Sequence, residues 1–133
     1  MPDSSPTELL ANGVRELVDR LRALPESRLT GRPEGAAVGR AELARALAQR
    51  LVAWGHGVEH RDDAPGSVAP ELPRVGLFVT ADQVAVAGAD LIAAADELPA
   101  DTGVWVDDGT HRAPLGEVLA LAGAAVAELR ALL

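Results

Sequence analysis

Two histidines and a glutamate in the segment 55–63 have the spacing of a metal-binding site. His56 and His60 are four residues apart, so on a helix they would project from one face, and Glu59 precedes His60. Imidazole nitrogens bind Zn²⁺ in this arrangement, and a neighbouring carboxylate can act on the zinc-bound water. These residues therefore indicate zinc or another divalent metal as a candidate cofactor, in a metal-dependent enzyme or a metal sensor.

The order His-x-x-Glu-His resembles the zinc motif of the inverted zincin peptidases over these five residues. The resemblance implies that His56 and His60 are metal ligands, that Glu59 is the general base and that a downstream glutamate, with Glu128 the nearest by separation, completes the site. In a zinc site unlike that of the inverted zincins, a loop would supply the third protein ligand that catalytic zinc needs. His111 is the candidate for that position.

The surrounding residues favour a different interpretation, in which the segment is the solvated end of a helix. Gly55 and Gly57 flank His56, and each glycine costs about 1 kcal/mol relative to alanine inside a helix. Either glycine can instead end the helix as a left-handed C-cap. Even if the helix continued, the heptad positions would place all three candidate side chains on the face pointing away from the core. We therefore predict a helix that ends near residue 56, and no catalytic residue.

A second candidate site is the glycine-rich segment 30–40, which precedes a predicted helix. Backbone amides at a helix N-terminus can hold a phosphate, and Arg32 and Arg40 would add positive charge. The segment lacks the Lys-Ser/Thr pair of a P-loop, and its glycines do not match the dinucleotide-binding fingerprint. Arg32 and Arg40 are thus anion-binding candidates, and a flexible connector between helices is the favoured alternative.

Hydrophobic periodicity predicts four helices, at about 6–24, 40–56, 81–97 and 114–132. In each of them apolar residues recur at alternating spacings of three and four, which is typical of helices that cross at shallow angles. Ser5, Pro6 and Glu8 form a capping-box signal at the start of the first helix. The run from Thr80 to Gln83 suggests a second capping box.

These segments predict a single all-α domain over residues 1–133. The predicted fold is a four-helix bundle with long connections between the first and second and between the second and third helices. Two short apolar runs, 75–79 and 104–106, have the composition of strands. If they pair, they form a two-stranded ribbon across the bundle, and α+β is therefore the alternative fold class.

Composition narrows the classes of function. The chain is acidic, with a formal net charge of −8, which disfavours nucleic acid as a partner. Cysteine is absent, which excludes disulfides, thiolate nucleophiles and cysteine-ligated metals. All 12 basic residues are arginine, as expected of a high-GC, bacterial-type coding sequence. We find neither a signal peptide nor an apolar run of membrane-spanning length, so we expect a cytoplasmic protein without a membrane partner.

The leading functional hypothesis is a small helical protein that binds another protein or itself, as a homodimer, in a regulatory or accessory role. Its basis is the regular spacing of apolar residues in four helices, together with the lack of a catalytic signature. The metal-dependent enzyme or metal sensor is the alternative. A third hypothesis is a small-ligand binder, which predicts a pocket between helices near Trp54 and the connector 25–39.

Overall fold

The structure, a computed structural model, describes residues 5–133 and is predominantly helical. Its elements are the helices α1 (Pro6–Ala23), α2 (Glu26–Thr30), α3 (Arg40–Glu59), α4 (Thr80–Ala95) and α5 (Leu115–Ala131), and the strands β1 (Gly103–Val106) and β2 (His111–Pro114). A 3₁₀ turn, Leu77–Val79, leads into α4. The four long helices lie where periodicity predicts them, apart from shifts of up to three residues at their ends, and α2 is an additional short helix in the first connector.

The predicted capping box at the start of α1 is confirmed. The Glu8 backbone N–H donates to Ser5 Oγ at 3.2 Å, and the Ser5 N–H donates to Glu8 Oε2 at 3.3 Å. The second predicted capping box is wrong, because Thr80 is itself the first residue of α4 and is buried. The 3₁₀ turn runs directly into the helix, and within it the Val79 N–H donates to the carbonyl oxygen of Gly76. The side chain of Gln83 donates to the carbonyl oxygen of Pro73.

The four long helices enclose one continuous core. Helix α3 packs on α4 and α5, and α1 packs on the same two helices. Leucine, valine and alanine fill the space between them, as the low aromatic content requires. Among the residues described, the largest fully buried side chains are Leu10, Leu17, Leu51, Leu91, Leu115, Val58, Val84, Val104, Val118 and Val126.

The predicted ribbon is half correct. Segment 104–106 lies in β1, but β1 pairs with β2 in an antiparallel hairpin, with Val104 opposite Ala113. Segment 75–79 forms no strand, and its last three residues are the 3₁₀ turn. A four-residue loop, 107–110, joins the two strands, so closing this hairpin orders far less chain than bringing 75–79 to the same place.

The predicted end of the second long helix near residue 56 is also wrong. Helix α3 continues to Glu59 through Gly55 and Gly57, and both glycines are buried. A Cβ on Gly55 would lie 3.5 Å from the Cα of Leu91 in α4, and one on Gly57 would overlap the carbonyl oxygen of Trp105 in β1. Gly57 therefore allows β1 to approach the helix, and that contact outweighs its low helix propensity, whereas a Cβ at Gly55 would make only an ordinary van der Waals contact.

Within the described residues one segment, Leu77–Ala95, has the length and composition of a membrane span, with a mean hydropathy of 1.5. We did not expect such a segment from the sequence. The buried residues of this segment pack on α1 and α3. They make up 33% of its most apolar stretch of 18 residues. The segment is part of the packed domain. Its outer side nevertheless leaves Phe78 and Val86 exposed.

Candidate functional site

A cleft of about 520 Å³ lies between α3, the hairpin, the start of α5 and the loop that joins α3 to α4. Both tryptophans of the chain line it. We call it the tryptophan cleft; its lining is Arg50, Ala53, Trp54, His56, Gly57, Ser67, Ala69, Trp105, Val106, Asp107, Asp108, Gly109, Ala113, Glu117 and Leu121. Its volume lies within the range of about 300–1,000 Å³ that is typical of small-molecule pockets.

Helix α3 forms one wall of the tryptophan cleft because three of its residues share a face. Arg50, Trp54 and Gly57 follow one another at spacings of four and three, which places them along one side of a helix. Because Gly57 has no side chain, the backbone of β1 rests directly on the helix at Trp105. The same contact brings the second tryptophan to the cleft.

The hairpin tip forms a second wall and has an unusual backbone. Asp107, Asp108 and Gly109 have φ angles of 52°, 55° and 76°, so three successive residues are left-handed. Aspartate tolerates this region better than most residues, because its short polar side chain can bond locally. The tip is also held from outside, since the Gly66 N–H donates to the carbonyl oxygen of Gly109 at 3.1 Å.

A guanidinium group lies over each indole ring. The Cζ atom of Arg50 lies 4.8 Å from the ring centroid of Trp54, and that of Arg112 lies 4.7 Å from the ring centroid of Trp105. Both distances are within the range of a cation–π interaction. The two tryptophans are half-buried, so they combine an apolar surface with access to the cleft.

Hydrogen bonds hold the second of these rings in place. The Trp105 Nε1–H donates to the carbonyl oxygen of Asp63 at 3.1 Å. Arg112 donates to the carbonyl oxygens of Arg61 and Gly103, at 2.8 and 2.7 Å. The ring is thus tied to the loop after α3 on one side and to its own strand on the other.

His56 and Ser67 form a hydrogen bond in the wall of the cleft. His56 Nε2 lies 2.7 Å from Ser67 Oγ, so the loop after α3 covers the outer face of the helix at this point. A serine that acts as a nucleophile also needs a group that orients the histidine. Among residues 5–133, no carboxylate bonds to the other ring nitrogen of His56. Sequence reasoning missed Ser67, for which the one local signal is the Pro65–Gly66 turn.

The metal candidates are brought together only in part. The rings of His56 and His60 lie 4.2 Å apart, and His60 Nδ1 is 2.7 Å from Asp63 Oδ2. Glu59 is exposed, and the ring of His111 is 3.4 Å from a carboxylate oxygen of Asp107. In the described part of the chain, no three histidine, aspartate or glutamate side chains are grouped as a bound metal requires.

The two anion candidates have different surroundings. Arg40 is 8% exposed, and its guanidinium donates to the carbonyl oxygens of Leu132, Arg28 and Gly31 at 2.9, 3.2 and 3.2 Å. Its donors are therefore directed at the carboxyl ends of α5 and α2. Arg32 is exposed.

The charge of the tryptophan cleft is unbalanced. Its lining carries three carboxylates, Asp107, Asp108 and Glu117, against one guanidinium, that of Arg50, a formal charge of −2. Within residues 5–133, neither Asp108 nor Glu117 forms a salt bridge. The cleft thus offers negative charge beside aromatic surface.

Comparisons with known proteins find no match for this chain, whether with family models, curated proteins or solved structures. Its function is therefore inferred from the residues of the cleft and from the surface around it.

Proposed function

We propose that this protein binds a small organic molecule in the tryptophan cleft. The observation that carries the proposal is that both tryptophans of the chain, which lie 51 positions apart, line one cleft of about 520 Å³. Tryptophan supplies a large apolar surface for a ligand, and the polar groups of the same wall can orient it. This is the third of the hypotheses drawn from the sequence. The cleft lies next to Trp54, as that hypothesis expects, but no residue of the connector 25–39 lines it.

The rigidity of the cleft supports a binding function. Trp105 is fixed by its indole N–H and by Arg112, and Gly109 holds the hairpin tip to the loop after α3. A site that already has its bound shape loses little conformational entropy when a ligand enters. A preformed cleft of this kind is therefore suited to binding a small ligand.

Tryptophan fluorescence tests the proposal directly, because every tryptophan in the chain lines the cleft. We expect that a fragment set of small aromatic and aliphatic molecules, with cationic, neutral and anionic members, contains compounds that change the fluorescence saturably. Trp54→Leu should remove this binding, whereas Phe78→Leu, which alters an aromatic side chain outside the cleft, should leave it intact. The proposal fails if no member of the set binds at millimolar concentration.

A second candidate function is protein interaction, favoured by an apolar groove between α1 and α5. This α1–α5 groove has a volume of about 680 Å³, and Leu9 at its edge is 61% exposed. A salt bridge of 2.8 Å between Arg130 and Glu16 crosses it, so the groove adds no net charge to an acidic surface. An exposed leucine beside an apolar groove is a common feature of protein-binding surfaces.

Sedimentation at tens of micromolar tests self-association through this groove. We expect a monomer–dimer equilibrium that Leu9→Asp shifts to monomer. Val68→Asp, at an exposed valine outside the groove, is the matched control and should not alter the equilibrium. A wild-type protein that stays monomeric would end the homodimer proposal.

For either function we propose a cytoplasmic four-helix-bundle domain in a regulatory or accessory role. The net charge of −8 remains unfavourable for nucleic acid. The outer side of α4, although apolar, belongs to a helix that packs on α1 and α3. We therefore propose a soluble partner or ligand, and no membrane.

A further inference from the structure

We infer that the ligand of the tryptophan cleft is an organic cation, an alkylammonium group carried on a small apolar body. The inference rests on the proposed function and adds the charge of the ligand. Its argument combines the aromatic walls, the carboxylates beside them and the behaviour expected of Arg50.

The aromatic walls already accept cations. Trp54 and Trp105 each have a guanidinium carbon within 5 Å of the ring centroid, at 4.8 and 4.7 Å. The attraction between an aromatic face and a cation is stronger for tryptophan than for any other side chain, and it grows when water is displaced. A pair of tryptophans in one cleft is therefore a suitable surface for an alkylammonium group.

The carboxylates supply the opposite charge next to those rings. Asp107 and Asp108 are held at the hairpin tip, and Glu117 lies in the first turn of α5. With Arg50 included, the lining has a formal charge of −2, on a chain whose net charge is −8. Arg112, which lies over the Trp105 ring, brings the formal charge around the two rings to −1. A field of this sign attracts cations and repels anions before they reach the cleft.

The position of Arg50 makes it possible to distinguish a cation-binding cleft from an anion-binding one. Its side chain is exposed, and within residues 5–133 it forms neither a salt bridge nor a hydrogen bond, so the Trp54 ring is the contact that holds it. A ligand cation and the Arg50 guanidinium repel each other and compete for that ring. An anionic ligand would use Arg50 instead. Removing the charge of Arg50 must therefore have opposite effects on the two kinds of ligand.

The test compares choline with 3,3-dimethylbutan-1-ol, which has the same shape without the charge, and with 3,3-dimethylbutanoate, an anion of similar size. None of the three absorbs where indole is excited, so the ligand concentration at half-saturation of the fluorescence change gives the dissociation constant. We expect choline to bind about tenfold more tightly than the neutral alcohol, as a cation–π contact and nearby carboxylates predict. The anion should bind more weakly than either.

Variants then assign the charge effect to residues. Arg50→Gln should tighten choline binding, and Glu117→Gln or Asp108→Asn should weaken it by several-fold without affecting the neutral alcohol. Glu128→Gln is the control, because it removes an exposed carboxylate from the same helix outside the cleft. Circular dichroism confirms that each variant is folded.

The outcomes separate this inference from the proposed function. Equal binding of choline and the alcohol, or weaker choline binding in Arg50→Gln, overturns the cation while a ligand-binding cleft remains. Absence of choline binding also overturns it, and the fragment set then decides whether the cleft binds ligands at all.

Discussion

Gly57 of α3 lies directly against the carbonyl oxygen of Trp105 in β1, and a methyl group at Gly57 would overlap that oxygen. Helix and hairpin therefore meet backbone to backbone at this point. The contact positions Trp105 and hence one wall of the tryptophan cleft. It also explains why α3 continues through a residue that the sequence suggests as a helix end.

Gly57→Ala should destabilise the protein although alanine is the better helix former. We expect a loss of about 2 kcal/mol in the free energy of unfolding, because a backbone carbonyl cannot move away as a flexible side chain does. Urea denaturation followed by circular dichroism measures it. Gly123→Ala is the matched control, since a Cβ there meets nothing within 4 Å among the residues described, and it should stabilise α5 by about 0.5 kcal/mol or more. Equal effects of the two changes would contradict the contact.

Gly88 of α4 has a different neighbour, the side chain of Val14 in α1. A Cβ on Gly88 would lie 2.9 and 3.0 Å from the two methyl carbons of Val14. We expect Gly88→Ala to cost about 1–3 kcal/mol, and Val14→Ala to remove most of that cost when the two are combined. A double-mutant cycle by urea denaturation checks this coupling. Strictly additive effects would show that α1 and α4 do not pack as described.

Arg40 should act as a structural residue. Replacing it with methionine removes the guanidinium donor from the carbonyl oxygens of Leu132 and Arg28, and we expect a loss of about 2–3 kcal/mol. The Gly31 carbonyl oxygen keeps the backbone N–H of residue 40 as its donor, at 3.0 Å. Arg32→Met, at an exposed arginine of the same segment, should change stability by less than about 0.5 kcal/mol. Thermal unfolding with and without phosphate adds the second readout. A large phosphate-dependent rise in Tm that both variants abolish would favour the anion site.

Zinc should bind weakly. His56 and His60 can offer two ligands, but Ser67 and Asp63 already bond to one ring nitrogen of each, and His111 is paired with Asp107. Two ligands do not make a closed zinc site. Isothermal titration with zinc should give no stoichiometric binding tighter than micromolar. Tight binding that disappears in His56→Ala would restore the metal hypothesis.

The positions of the four long helices follow from the sequence by itself. Their apolar residues recur within each helix at spacings that depend only on the helical period, and Ser5 and Glu8 cap α1 across three residues. Such signals lie within a few residues of one another, so no knowledge of the fold is needed to find them. The strand character of 104–106 is a signal of the same local kind.

The tryptophan cleft depended on the tertiary structure. From the sequence, Gly57 is a candidate helix end, and only its contact with β1 shows why the helix continues. The hydrogen bond between Ser67 and His56 likewise depends on how the loop after α3 folds. The partner of β1 was likewise decided by the short loop between the strands and not by the apolar composition of 75–79. Each of these contacts joins residues that are separated along the chain, and the energy of a close approach or a hydrogen bond between them exists only once the helices have packed.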